Sequence, residues 1–216
     1  MPSERPFDID RALSLVRSAV QGLPKPALFA LADEGYLSPF EQLVACIISV
    51  RTRDEVALPA ARDFLRRAHT PEQVSRLLAQ EIDKLLHPVS FHGPKSLTIL
   101  EAAHRARDRY DGQVPCDYDE LIQFKGVGPK CANAVLSIAC GKPAIVVDVH
   151  VHRVVNAWGY VHTATPEQTL RALEAKLPQR YWAELNRLLI PFDKYVCRPG
   201  QLDRLSPELR ALCPSR

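Results

Sequence analysis

No apolar run in the chain is long enough to cross a bilayer; stretches such as 144–147 stop far short of the roughly 18 residues a membrane helix needs. Aromatic residues make up only 7% while alanine and leucine recur throughout, which disfavours a β-sandwich or barrel and favours helices. With 9 glycines and 18 prolines in 216 residues, and no internal repeat or low-complexity tract, collagen-like and disordered chains are excluded. The six cysteines, Cys46, Cys116, Cys131, Cys140, Cys197 and Cys213, are few and scattered. The opening MPSERPFDIDRAL does not read as a secretory leader, so no disulfide framework is expected. Cys46, Cys131 and Cys140 fall in apolar helical patterns and read as small core thiols in a reduced cytoplasm. Charge of one sign is also lacking. The 28 basic and 25 acidic residues leave +3, a lean toward polyanions that matters only if gathered on one face.

What is present is helical periodicity from end to end. Leu13, Val16 and Val20 share one face of a first segment that Pro24 and Pro26 terminate. Ser38-Pro39 opens the next, with Phe40, Leu43, Val44, Ile47 and Ile48 as its buried stripe. A helix over 54–68 follows, and Thr70-Pro71-Glu72-Gln73 is a capping box. Phe91-His92-Gly93-Pro94 reads as a turn before a long helix through Leu97, Leu100 and Ala103 that ends near Tyr110. Beyond a short helix at 117–124, Asp148 caps another that ends near Trp158-Gly159. Thr165-Pro166-Glu167 opens a further helix, and 181–189 is the last clear one. After Pro191 the pattern weakens, and Pro199, Pro207 and Pro214 forbid a long regular element. Short connections between many helices predict an all-α body.

The informative stretch runs from Leu121 through Phe124-Lys125-Gly126-Val127-Gly128-Pro129-Lys130 to Leu136. Two helices meet at a Gly-x-Gly turn, where glycine permits positive φ and close approach of another surface. The amides of such a turn and of the following helix start suit an anion such as a phosphate. Leu121, Phe124, Val127, Val135 and Leu136 would hold the pair together from behind. A short helix rather than a strand precedes the turn, which excludes a dinucleotide fingerprint. Ala144-Ile145-Val146-Val147 then delivers Asp148 to a helix start, where a carboxylate is favoured by the helix dipole. An amine at Lys130 and a carboxylate at Asp148 beside a phosphate site equip a protein to attack a sugar C1′. A plain helical hairpin with a solvated lysine and a capping aspartate fits the same residues.

Gly126-Val127-Gly128-Pro129-Lys130-Cys131-Ala132-Asn133, followed by Val146-Val147-Asp148-Val149-His150 and Arg153, resembles the helix-hairpin-helix and aspartate signature of DNA glycosylases, in particular the endonuclease III branch. Ser38-Pro39-Phe40-Glu41-Gln42-Leu43, Ser49 to Asp54, and His92-Gly93-Pro94-Lys95-Ser96 resemble other segments of that branch, so the likeness spans roughly residues 10 to 197. It implies a bilobal all-α fold, with residues 32–142 as a six-helix barrel carrying the hairpin. Residues 1–31 and 143–216 would form a second helical lobe supplying Asp148. It further implies a monomer acting on damaged double-stranded DNA, bent, with the target base flipped out. Such a protein is cytoplasmic, and nucleoid-associated if bacterial. Lys130 stands at the position of the branch's Schiff-base lysine and Asp148 at that of its essential aspartate. Gly126, Val127, Gly128, Lys125, Lys130, Arg51 and His150 are the expected DNA contacts.

The sequence departs from the branch in three places. The branch ends in four cysteines that hold a 4Fe–4S cluster. Here Cys197 and Cys213 match the outer positions while Arg204 and Pro207 occupy the inner ones, so no cluster and no other metal is expected. Leu202, Leu205, Leu209 and Leu212 must hold that segment instead, with Arg198, Arg204 and Arg210 as solvated or phosphate-contacting cations. Arg51 replaces a glutamine that fills the gap left by the flipped base, and it can fill, stack or contact bases in turn. Lys125 and Pro129 exchange charge around the hairpin with little net effect. His150 and His152, two apart on one helix, diverge rather than share an ion. Tyr110, Trp158 and Trp182 read as core or interface aromatics.

The reading that follows is a bifunctional DNA glycosylase and AP lyase for oxidised pyrimidines. The alternatives are a monofunctional, mismatch- or alkylation-directed glycosylase, and a non-catalytic hairpin DNA-binding protein.

Overall fold

The computed structural model describes residues 7–198 and 200–214. The first six residues, on which part of the leader reading rests, and Pro199 lie outside them. Among the described residues every regular element is helical. In chain order α1 (Ile9–Ala19) and α2 (Ala27–Asp33) precede α3 (Pro39–Ser49) and α4 (Asp54–Arg67). Two short helices, α5 (Pro71–Ser75) and α6 (Ala79–Leu85), lead to the long α7 (His92–Arg109). Next come α8 (Tyr118–Leu121) and α9 (Pro129–Ala134), the latter running on as a π-helical turn over Val135–Ala139. The remainder is α10 (Val149–Ala157), α11 (Pro166–Lys176), α12 (Leu185–Pro191) with a π-helical turn over Phe192–Val196, and α13 (Pro207–Ala211).

Residues 26–144 form one compact unit. Its centre is α3, which packs against α2, α4, α7 and α9 and is buried from Phe40 to Ser49. The expected stripe is therefore too narrow, because a helix surrounded by others buries every face. Its start follows the sequence signal: Ser38 Oγ accepts from the Glu41 amide at 3.2 Å, and the Glu41 carboxylate accepts from the Ser38 amide at 2.8 Å. Helix α2, part of which falls in the range assigned to the terminal lobe, packs on α3 and α4 in this unit. The expected turn at 91–94 is instead the start of α7. Gly93 and Pro94 sit in its first turn, where a missing amide costs no intrahelical bond. The buried face of α7 runs through Ile99, Ala102, Ala103 and Ala106, leaving Leu97 57% exposed.

Residues up to 25 and from 145 onward form the second unit. Leu13 and Val16 of α1 join Val151, Val154, Leu189 and Phe192 in its core. Burial of each such side chain is worth about 2 kcal/mol. The surface pairs Arg11–Glu208, Arg17–Glu184 and Asp10–Arg180 are screened by water and add little. Apolar packing therefore holds α1 to the C-terminal helices. Leu212 is buried and Leu205 and Leu209 pack against this core, as expected, while Trp158 Nε1 donates to the Leu212 carbonyl at 2.7 Å. Arg210 pairs with Asp203 at the surface.

The cysteines correct the expectation of free thiols. They form Cys46–Cys131, Cys116–Cys140 and Cys197–Cys213, and no described cysteine is free. Cys46 and Cys131 are buried as read, but α3 and α9 bring their Cα atoms to 5.7 Å, within bridging range. Periodicity along one helix shows that a residue is buried. It carries no information about which residue of another helix faces it.

Candidate active site

The hairpin is built as its sequence suggests. Leu121, Phe124, Val127, Val135 and Leu136 are all buried behind it. Gly126 has φ +75, a conformation that favours glycine, and a Cβ there would sit a tight 3.2 Å from Thr98 Cγ2 of α7. Gly128 differs, with an ordinary φ of −105 as the N-cap of α9 and open space where its Cβ would be. First-turn amides of a helix lack an intrahelical acceptor, and the exposed Gly128 leaves the start of α9 uncovered. Lys130 follows in that first turn and is half-buried. Its neighbour Cys131 is bonded to Cys46 of α3, which anchors the segment carrying the amine. Lys125 is exposed and pairs with Glu101 at 3.0 Å.

Asp148 ends the buried segment Ile145, Val146 and Val147. Its Oδ1 accepts from the amides of His150 at 3.0 Å and Val151 at 2.9 Å, capping α10 and leaving the carboxylate half-exposed. From the π-helical turn after α12, the fully buried Asp193 binds both His150 Nδ1, at 2.5 Å, and the guanidinium of Arg153. An ionised carboxylate only accepts, so His150 donates to it through Nδ1. Burial pushes the Asp193 carboxyl up, but the bonds from His150 and Arg153 outweigh it and hold the group below its usual range. His152 turns elsewhere, to Thr169 at 2.6 Å, so the two histidines diverge as expected. Asp193 escaped the sequence reading because it lies where periodicity fades.

A third cluster was only half legible. Arg51 is exposed and holds φ +52; Phe91, the N-cap of α7, holds φ +58 and is 59% exposed. The Arg51 guanidinium lies 5.9 Å from the Phe91 ring centre. Behind them, Lys95 is only 7% exposed, and its Nζ donates to the carbonyls of Ile48 at 2.7 Å and Val50 at 2.6 Å and to Thr52 Oγ1 at 3.0 Å. Burial pushes its amine down to about 8. Trp158 stacks on Phe7 and Trp182 donates to the Leu177 carbonyl, so these aromatics serve packing.

A helical hairpin with a lysine directly after its glycine turn, followed in the chain by an aspartate that caps the next helix, is the pattern of a class of DNA repair protein, and comparison with known proteins agrees. Residues 44–179 match the HhH-GPD superfamily of base excision DNA repair proteins. The endonuclease III of Thermotoga maritima is 35% identical over 161 residues, 74% of this chain and 76% of that protein. Endonuclease III-like protein 1 of Bos taurus is 32% identical over 225 residues, covering 99% of this chain and 73% of the relative. Among solved structures, a non-covalent endonuclease III–DNA complex superimposes with a TM-score of 0.79 at 26% identity, covering 95% and 93% of the two chains. A trapped endonuclease III–DNA covalent intermediate gives 0.77 at 26% identity, over 91% of each chain. The chain belongs to this superfamily as an endonuclease III-like DNA glycosylase.

The 4Fe–4S cluster implied by the endonuclease III resemblance does not fit these residues. Cys197 and Cys213 are bonded to each other, and Arg204 and Pro207 supply no thiolate, so four sulfur ligands are lacking. Among the described residues no group of three or more His, Cys, Asp and Glu side chains is placed to hold a metal ion. Nor is any helix among them long and apolar enough to cross a membrane.

Proposed function

We propose that the chain is a bifunctional DNA glycosylase and AP lyase that removes oxidised pyrimidines from duplex DNA, acting as a monomer and without an iron–sulfur cluster. The observation that carries this reading is the half-buried Lys130 in the first turn of α9, directly after the Gly126-Val127-Gly128 turn, whose two glycines are exposed. A phosphate held by Gly126, Val127, Gly128 and Lys125 brings the adjoining sugar to that amine. Lys130 Nζ forms a bond to C1′ as the glycosidic bond breaks and the base departs with the electron pair. Loss of the amine proton and opening of the sugar ring leave an imine. Removal of a C2′ proton then expels the 3′ phosphate. Asp148 takes the part of the carboxylate that aids proton removal and stabilises positive charge developing on the sugar. His150, held by Asp193, offers Nε2 to the DNA backbone.

The lyase step is supported by the lysine itself, because phosphate binding alone needs neither Lys130 nor Asp148. Support also comes from the solved neighbours, which are endonuclease III–DNA complexes, one of them covalent. Borohydride trapping tests the reading on duplexes bearing thymine glycol, uracil, an abasic site or undamaged pyrimidine. A covalent adduct and a strand cut on thymine glycol, both lost in Lys130→Ala, are expected. An adduct on the abasic duplex alone would reduce the assignment to lyase activity. Tight binding with no adduct on any duplex would leave a monofunctional or binding-only protein. Iron analysis of the purified chain should return no stoichiometric iron, and a bound cluster would refute the cofactor assignment.

A further inference from the structure

The three disulfides differ in what can reach them. Cys46 and Cys131 are buried between α3 and α9, and Cys197 is buried in the core that holds the C-terminal segment. Of the three bonds, only Cys116–Cys140 has both of its residues part-exposed. Cys116 also lines a cavity of about 720 Å³ in the unit of residues 26–144, beside Glu41, Tyr110, Asp111 and Pro115, and Cys140 is not among its walls. Exchange between a thiol and a disulfide depends on access to a sulfur, so the cavity gives Cys116 an approach that the buried cysteines lack. Its charged and titratable walls are Glu41, Asp111, His69, Tyr110 and no lysine or arginine, which favours a neutral or cationic thiol over an anionic one.

The place of the bond in the chain gives such exchange a consequence. Residues 117–128, which comprise α8 and the glycine turn, lie between Cys116 and Cys131, and each of those is crosslinked. With Cys116–Cys140 broken, the four-residue α8 is held by burial of Leu121 and Phe124 and by the Tyr110 hydroxyl, which donates to the Glu120 carboxylate. Cys46–Cys131 still ties α9 to α3. Breaking the outer bond therefore loosens the turn and leaves α9 in place.

We propose that Cys116–Cys140 is a thiol–disulfide exchange site, entered through this cavity by a neutral or cationic dithiol, and that it sets how firmly the glycine turn is held. The incoming thiolate attacks Cys116 Sγ, the bond between Cys116 and Cys140 breaks, and Cys140 leaves as a thiolate that takes a proton. The second thiol of the reagent then attacks its partner sulfur in the mixed disulfide. The reagent departs as a cyclic disulfide, two electrons pass to the protein, and Cys116 is released and protonated. An oxidised dithiol reverses the sequence and restores the bond. Only the consequence for duplex binding rests on the DNA-glycosylase reading, because a loosened turn must be reordered when it holds a phosphate.

Limited reduction of the folded chain with dithiothreitol, followed by alkylation and peptide mass spectrometry, tests the site. Cys116 and Cys140 should be labelled while the other four cysteines stay bonded. Cysteamine should form its mixed disulfide on Cys116, at least about threefold faster than mercaptoethanesulfonate at equal thiolate concentration and low salt. The amides of Leu121, Ile122, Phe124 and Val127, all bonded within this stretch, should exchange hydrogen about a hundredfold faster on reduction, with α4 unchanged. The double variant Cys116→Ser with Cys140→Ser should exchange fast with or without reductant, and the wild-type measurements report even if that variant does not fold. Reduction of all three bonds together, a mixed disulfide on Cys140, faster reaction of the anionic thiol, or amide exchange unmoved by reduction would each overturn the proposal. Duplex affinity should fall about threefold on reduction and recover on reoxidation, and an unchanged affinity would overturn control of binding. A chain that binds no duplex in either form would sink the DNA reading and leave the exchange site standing.

Discussion

Asp193 and the two hairpin glycines show how much a single residue depends on its surroundings. The folded pKa of Asp193 lies below its unfolded value near 3.9, so the unfolded chain binds the extra proton first as pH falls. Its stabilising contribution is full above about pH 4 and is lost as pH drops through the folded value. Thermal unfolding from pH 7 to 2 should therefore show an acid limb that Asp193→Asn flattens. An unaltered limb would mean that the His150–Asp193–Arg153 group contributes nothing to stability. Gly126→Ala forces an L side chain to φ +75 and against Thr98, and should cost about 1–2 kcal/mol in denaturant unfolding. Gly128→Ala meets neither obstacle and should leave stability within about 0.5 kcal/mol, while weakening duplex binding at the uncovered helix start. The Gly-x-Gly pattern marked both positions as permitting positive φ, and only Gly126 uses that freedom. Dihedral demand is a property of the turn's path and cannot be read from residue type.

At the scale of elements, α10 and the hairpin separate structural from chemical roles. Asp148 caps α10, and asparagine caps a helix about as well. Asp148→Asn should therefore hold stability within about 0.5 kcal/mol while slowing base removal at least about a hundredfold, measured by single-turnover cleavage. Asp148→Ala should lose both, at about 1 kcal/mol of stability. Equal activity in wild type and Asp148→Asn would reduce the residue to a cap. The hairpin is closed at its base by Cys116–Cys140, whose 24-residue separation spans α8, the turn and α9. Breaking that link should cost roughly 3 kcal/mol through the entropy of the unfolded chain, read as a lower unfolding midpoint in Cys116→Ser. Alkylation followed by mass spectrometry should find no free thiol in the folded, unreduced protein. Capping signals at Ser38, Thr70, Asp148 and Thr165 were legible because each depends on a few adjacent residues. Helices α2 and α6 were missed, being only seven residues each and too short to display a period.

For the whole molecule, the helical class, the hairpin and the pair Lys130 and Asp148 were present in the order of the residues. Periodicity and capping are local, and the Gly-Val-Gly-Pro-Lys run occupies consecutive positions, so neither needs a fold to be seen. The inner positions of the four-cysteine pattern are visible in the same way, since arginine and proline carry no sulfur whatever their surroundings. Long-range pairings were not legible. Cys46 meets Cys131 across 85 residues, Asp193 meets His150 across 43, and Lys95 reaches Ile48 across 47. Each pairing is set by how helices cross, through packing that many sequences of the same pattern would satisfy differently. The chemistry proposed for the chain is thus written locally, in an amine, a carboxylate and a glycine turn. Which buried groups brace that chemistry depends on distances between helices far apart in sequence, and those come into being only when the core closes.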